Sequence, residues 1–352
     1  MRIYSKILFV VGLSLTLTNV SKAQLDFDSF LEAGISDANT LLQSYLEPSF
    51  QGIGYGINSG WYNTARPHQS LGFEISITAS AARVPSSAQF FTFNNSDYQN
   101  VRLSDNSRNQ LPTLFGPNLG ADDLPELTFL DPDTGEEVIR ISAPTGLGIE
   151  ETLPFVAVPL PMVQFSLGLI KGTDLKLRYV PATSFGEDND VELNLFGFGI
   201  MHDVKQYIPG IKALPFDLSA FFGYTNLKTT YAVDPDLNQF AEFETKGTII
   251  QALVSKKLAF VTAYGGIGYA QSNTTFGLKG DYTTESETFT DPIDLSYENS
   301  GVRANVGLRL RLAFFNLFGE YAFQEFNTMT VGIGFSFREG TGSTNIPIIP
   351  GI

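Results

Sequence analysis

The chain has 352 residues and no cysteine, so neither a disulfide nor a Cys-ligated metal site can hold it together. Its net charge of −15 repels nucleic acid, and no nucleic-acid partner is expected. Although 43% of the residues are hydrophobic and 30 are Phe, no apolar run beyond the amino terminus is long enough for a spanning helix, which excludes a helical membrane protein.

At the amino terminus, Arg2 and Lys6 precede the apolar run ILFVVGLSLTLTNV, and Ser21-Lys22-Ala23 supplies small residues for cleavage. Residues 1–23 therefore read as a secretion signal, with the mature chain expected from Gln24. Leu31, Ile35, Ala38, Leu42 and Leu46 follow at helical spacing, and Asp28 or Ser29 is placed to cap the start. The spacing predicts a helix within residues 24–48 that plugs a lumen or rests against its periplasmic mouth. A partly ordered leader with no part in transport fits the same residues.

Residues 52–61, 71–84 and 88–93 read as three strands. The stretch 94–155 is too long for a bare loop and is expected as an extracellular or plug insertion. Within it LTFL and EEVIRIS flank DPDTG, the pattern of a small hairpin. Asp131, Asp133 and Glu136 resemble a calcium loop, but the EF-hand spacing fails and a plain turn explains them; no metal is expected.

From residue 161 onward the chain alternates. SGVRANVGLRLRL sets Val302, Ala304, Val306, Leu308 and Leu310 against Arg303, Asn305, Gly307, Arg309 and Arg311. DLKLRYV, LPFDLSAFFGY and TVGIGFSF repeat the pattern, and so does LGFEISITASA upstream. Each has roughly the nine to eleven residues of a tilted membrane strand. Short joins fall on one side and long acidic ones, within residues 228–246 and 273–299, on the other, as periplasmic turns and outer loops do. The join at Leu312-Ala313 lacks Gly, Pro or Asn and fits a turn poorly.

Nine strands over 161–337 plus three upstream predict an all-β, transmembrane, antiparallel outer-membrane β-barrel of about 12 strands, with 14 as the other even count. It occupies residues 49–338, after a short N-terminal helix and before a tail over 339–352.

The inward face suggests a cargo. In DVELNLFGFGIM, Glu192 and Asn194 read as inward, and the alternation then sends Phe196, Phe198 and Ile200 inward too, with Phe221, Phe314 and Phe318. An apolar lumen suits a greasy path, and a bulge returning these rings to lipid fits equally. Arg178, Arg303, Arg309 and Arg311 also read as inward. Such arginines hold a fatty carboxylate, or pair with Glu192, Asp217 and Glu320. The ligand-binding candidates are Arg178, Phe196, Phe198, Arg303, Arg309 and Phe318. Val331, Ile333, Phe335 and Phe337 form the lipid side of the closing strand and resemble the signal that outer-membrane assembly machinery reads, although 15 residues follow Phe337. Only His68 and His202 are present, with no nucleophile or phosphate-loop motif, so neither an enzyme nor a cofactor is expected.

SGWYNTARPHQSLGFEISITASA, FVAVPLPMVQFSLGLIKGTDLKLRYVP and LPFDLSAFFGYTNL resemble an uncharacterised family of Bacteroidota outer-membrane proteins, itself similar to long-chain fatty acid transporter (FadL/TodX-like) barrels. The likeness covers most of residues 45–337. It implies a monomer in outer-membrane lipid with an N-terminal hatch, passing a hydrophobic small-molecule cargo inward. The Asn-Pro-Ala motif of those transporters is absent; Tyr62-Asn63-Thr64-Ala65 stands in its place. The alternative is a closed structural or partner-binding barrel with no transport activity.

Overall fold

The computed structural model describes residues 34–105, 108–151, 155–185, 190–211, 213–284 and 287–339. The secretion signal, the first part of the expected helix with Asp28 and Ser29, and the tail beyond 339 lie outside the described residues.

Ten strands form a closed ring. They are β1 (His68–Arg83), β2 (Ala157–Gly168), β3 (Thr173–Phe185), β4 (Val191–Asp203), β5 (Asp217–Asp234), β6 (Gln239–Leu258), β7 (Val261–Lys279), β8 (Ile293–Leu312), β9 (Phe315–Phe323) and β10 (Thr328–Glu339). Each pairs antiparallel with its neighbours in the chain, and β10 closes on β1 with Ile75 opposite Phe335 and Thr78 opposite Gly332. The nine strands expected after residue 160 are β2 to β10.

The count of twelve is corrected upstream. Residues 88–93 supply only a single 3₁₀ turn's end and the short strand Phe90–Thr92, which pairs with Gln110–Pro112 outside the ring. Residues 52–57 belong to a helix, α1 (Ile35–Ile57), which runs through Pro48 and past the expected end at Leu46. Gly52, Gly54 and Gly56 alternate with Ile53, Tyr55 and Ile57, which imitates a strand. Inside the ring those glycines let the helix approach the wall, since a Cβ at Gly52 would collide with Val158 and one at Gly54 with Ser272. Packing overrides the weak helix propensity of glycine. The expected boundary between helix and barrel at residue 48/49 therefore moves: α1 ends at Ile57 and the ring begins at His68.

One end of the ring carries tight turns. Leu258 pairs with Val261 around Ala259-Phe260, and Leu312 with Phe315 around Ala313-Phe314. Ala259 and Ala313 adopt the left-handed φ of 54° and 56° that Gly or Asn would take more readily, which is why the turn at residue 313 lacked a signature. At the other end β5, β6, β7 and β8 run for 18, 20, 19 and 20 residues, well beyond a membrane crossing. Most of residues 228–246 and 273–299, expected as loops, is thus strand standing clear of the bilayer.

Over these tall strands folds the insertion between β1 and β2. Its three-stranded sheet comprises Val101–Leu103, Glu126–Leu130 and Glu137–Ser142, the last two joined by the DPDTG hairpin. The Asp131 carboxylate accepts the N–H groups of Asp133 and Thr134 within that turn. Val101, Leu111, Leu127 and Phe129 of the insertion share one core with Leu41 and Phe50 of α1 and with Ile293 and Leu295 of β8. The buried Asp37 carboxylate, in the first turn of α1, accepts the N–H groups of Gln99, Asn100 and Val101 at 2.9, 2.6 and 3.0 Å. A charge-assisted staple thus fastens helix to insertion. The result is a dome with its own hydrophobic core on the long-loop side.

Below the dome the outward face is apolar. Ile75, Ile77, Val163, Phe165, Val306 and Leu308 are exposed, as a lipid-facing belt requires. Val331, Ile333, Phe335 and Phe337 stand in this belt, with Thr330 and Ser336 buried on the other side. Phe337 stacks on Phe73 at 5.0 Å and on Phe314 at 5.9 Å, an aromatic cluster at the seam. Phe314 therefore faces outward, against its expected inward position.

Candidate functional site

The lumen is occupied by the chain itself. α1 descends from the dome, and residues 58–67 continue to the lower end, where β1 begins. Progress along β8 gives the direction: Asn39 hydrogen-bonds at Pro292 and Asp294, Gln43 at Ser296, Ser59 at Arg303, Tyr62 at Asn305 and Asn63 at Arg309. The same segment touches the opposite wall, where Gln164 donates to the Trp61 carbonyl at 3.0 Å and Ser219 to that of Ala65 at 2.6 Å.

Arg178 explains how the end of α1 is held. Its guanidinium donates to the carbonyls of Ile57 and Ser59 at 2.8 and 2.6 Å, and to Gln164 Oε1 at 3.2 Å. It also lies 3.6 Å over the Trp61 ring. The last carbonyls of a helix carry its negative dipole end, so a cation from the wall substitutes for the missing basic residue of the last turn.

Below this, Arg303 pairs with Glu320 at 2.8 Å and donates to Ser59 Oγ at 2.9 Å. Glu74 accepts from Asn63 at 2.8 Å and from Asn316 at 3.0 Å, while Arg309 donates to Asn63 Oδ1 at 3.0 Å. The Tyr62 hydroxyl lies 2.6 Å from Gln251 Oε1 and 2.8 Å from Asn305 Oδ1. Arg66 forms an ion pair with Asp217 at 3.0 Å. Phe221 fills the remaining space, its ring 5.6 Å from Trp61 and 5.4 Å from Tyr62.

The expected ligand candidates divide accordingly. Arg178, Arg303, Arg309 and Phe318 are buried on the inward face, but the three arginines already hold the plug segment or the wall. Phe196 and Phe198 point outward, 45% and 37% exposed, and Ile200 with them. Their alternation is intact and its sense is reversed. Leu193 and Leu195 are the buried, inward residues of β4, packing with Ile53, Ile57 and Leu160, while Glu192 and Asn194 stand in solvent above the belt. Glu192 is thus no partner for a lumen arginine. Gly197 and Gly199 take the inward positions lower down, where a Cβ on Gly199 would crowd Trp61.

Sequence reasoning missed Trp61, Tyr62, Asn63 and Glu74, which do most of the sealing. The one available signal was the run NSGWYNT, polar and aromatic without any period, between a glycine-rich helix and the first strand.

His68 belongs to the wall. It opens β1 at the lower end, within a constellation of Asp174 (Oδ2 to Nδ1, 2.8 Å) and Ser336 (Oγ to Nε2, 3.2 Å). All three side chains are buried, and they tie β3, β1 and β10 together across the closing seam.

The fold and its filled lumen define a class, the transmembrane antiparallel β-barrel of outer-membrane type, sealed by its own amino-terminal segment. Within it the chain belongs to a family of unknown function, DUF6588, whose model matches residues 1–337. No curated protein matches it. Among solved structures it is similar to Ail, the attachment invasion locus protein of Yersinia pestis, at 9% identity and a TM-score of 0.27, over 76% of this chain and 100% of that one. It is similar to the translocator domain of the autotransporter NalP from Neisseria meningitidis at 11% and 0.28, over 86% and 99%. A deltaS2 mutant of the TodX monoaromatic hydrocarbon channel follows at 7% and 0.18, over 78% and 91%. At such values these likenesses carry no functional argument.

Proposed function

We propose that this protein is a closed outer-membrane barrel that carries a structured dome on the cell surface, with no steady aqueous path and no chemistry of its own. One observation carries the reading: the segment that crosses the lumen is held along its length by side chains of the wall, from Arg178 at Ile57 and Ser59 through Arg303 at Ser59 and Arg309 at Asn63 to Asp217 at Arg66. The apolar belt supports a place in outer-membrane lipid, and the aromatic closing strand supports insertion by the assembly machinery. The Ser-His-Asp constellation of His68 serves the seam, because Ser336 is 1% exposed and offers a substrate no approach.

The experiment is single-channel conductance of the purified protein in a planar bilayer. Silence is expected; a large, steady, ohmic current would overturn the reading. A second reading, passage of a hydrophobic small molecule, is favoured by three apolar clusters around the plug, one with Phe50, one with Ile53, Ile57, Leu160 and Leu195, and one with Trp61. That path requires the plug to withdraw, so uptake of a hydrophobic compound that survives cross-linking of residue 62 to residue 305 would rule out this route through the lumen.

A further inference from the structure

We infer that the junction between β2 and β3 is a seat for an acyl chain of an outer-leaflet lipid; the inference rests on the proposal of an outer-membrane barrel, since it needs lipid outside the belt. The ladder between these strands runs only from Gly168 opposite Asp174 to Gln164 opposite Arg178. Above it, among the described residues, 157–163 pair with β1 alone and 179–185 with β4 alone. Proline is the reason. Leu169 donates its N–H to the Thr173 carbonyl across the turn, so the odd-numbered residues of β2 aim their N–H groups at β3. Pro159 and Pro161 stand on that edge and have none. Continued at the same register, Pro161 would meet Pro181 of β3, which has none either. There β3 bulges, with Val180 opposite Leu195 and Thr183 opposite Leu193, and Pro181, Ala182, Thr183 and Ser184 are exposed in succession where a wall strand would alternate.

This junction is closed by side chains alone. Leu160 and Met162 of β2 are buried in one apolar cluster with Leu195 of β4 and with Ile53 and Ile57 of α1, and Val180 of β3 packs against it partly buried. Such side chains can part without breaking a backbone hydrogen bond, and methionine is the most adaptable of them. The level fits a lipid. On the β2 side the outward residues nearby, Ala79 and Ala81 of β1 with Val331 and Met329 of β10, continue the apolar belt. On the β3 side Tyr179 stands opposite Phe196, the uppermost belt residue of β4. An acyl chain asks for no hydrogen bond, which suits edges stripped of donors, whereas an added peptide strand would need donors as well as acceptors. The seat is blind: below it Arg178 holds Ile57 and Ser59, and Gln164 holds Trp61, so a chain that enters stops against α1.

The purified protein is placed in vesicles of phosphatidylethanolamine that carry a trace of the same lipid with a diazirine on one acyl chain, irradiated, and mapped for insertion sites by mass spectrometry. Insertion is expected at Val302 and Val306 of the belt on β8, and also at Leu160, Met162 and Val180 of the junction. Insertion at Val302 and Val306 only would overturn the inference while leaving the barrel in its membrane. No insertion at Val302 and Val306 would overturn the outer-membrane reading and the inference together. A variant combining Pro159→Val, Pro161→Val and Pro181→Val restores the missing donors. In it, slow amide exchange at residues 159 and 161 is expected, with insertion lost at the junction and unchanged at the belt. Insertion at the junction that persists beside slow exchange would overturn the inference, because the acyl chain would then arrive by another way. Should that variant fail to fold, the insertion map of the unaltered protein still decides between the outcomes.

Discussion

Along the upper half of β8, Ile293 and Leu295 are buried while Asp294, Ser296 and Glu298 face out; along its lower half, Arg303, Asn305 and Arg309 are buried while Val302, Val306 and Leu308 face out. The backbone alternation never breaks. β4 behaves alike, with Leu193 and Leu195 inward above the crossing from Glu192 and Asn194 outside to Phe196 and Phe198 outside. The upper strands obey the rule of a soluble sheet, apolar toward a core and polar toward water. The lower strands obey the opposite rule, because lipid replaces water outside and a hydrogen-bonded chain replaces the core inside. The level of the bilayer surface is therefore written in the strands as a reversal of pattern.

The sharpest way to break this contrast is to remove one buried group from each region. Phe129→Ala empties a core position of the dome and is expected to cost about 3–5 kcal/mol. Arg303→Met leaves Glu320 as an uncompensated buried charge beside the plug and is expected to cost about as much. Limited proteolysis separates the two: Phe129→Ala should expose the insertion to cleavage with the ring intact, and Arg303→Met should loosen residues 58–66 and give measurable conductance. Cleavage of the ring in the Phe129→Ala variant would show that dome and barrel unfold as one unit. A smaller effect sharpens the position of the reversal. Val306→Arg places a charge near the middle of the belt and should destabilise by about 2–4 kcal/mol in a reversible denaturant titration in lipid. Glu298→Arg, on the same outward column above the surface, should stay within about 0.5 kcal/mol. Equal losses at the two positions would place the bilayer surface above residue 298.

The ring was legible because period two is a local property: Val331, Ile333, Phe335 and Phe337 announce their side without any knowledge of their neighbours. The sense of a face is not local. Polar Glu192 and Asn194 suggest an inward face that carries Phe196 with it, and nothing in DVELNLFGFGIM marks where water gives way to lipid. The tall strands were hidden for the same reason, since the acids and hydroxyls of residues 228–246 and 273–299 suit an outer strand face as well as a loop. Arg178, Arg303 and Arg309 were legible as inward, but their partners were not. Those partners lie in residues 57–63, whose conformation is set by the glycine fit against Val158 and Ser272 and by hydrogen bonds to β2, β3, β6, β7 and β8, all far off in sequence.

The smallest expected effect tests whether the upper outer face is ordinary solvated surface. Lys228 and Glu242 face outward on paired strands just above the belt, with Nζ 2.9 Å from Oε1, and Lys246 approaches Glu244 at 3.0 Å. Both lysine side chains are 49% exposed, and Asn226 donates to Glu244 as well. Exposed ion pairs of this kind contribute about 0.2–1 kcal/mol, and salt screens them over roughly 8 Å at physiological ionic strength. Lys228→Ala should therefore lower stability by no more than about 1 kcal/mol at low salt, with the difference from the unaltered protein shrinking as salt rises. A loss of several kcal/mol that ignores salt would mean the pair is shielded from water, which moves the bilayer surface up to the level of Lys228 and shortens the dome.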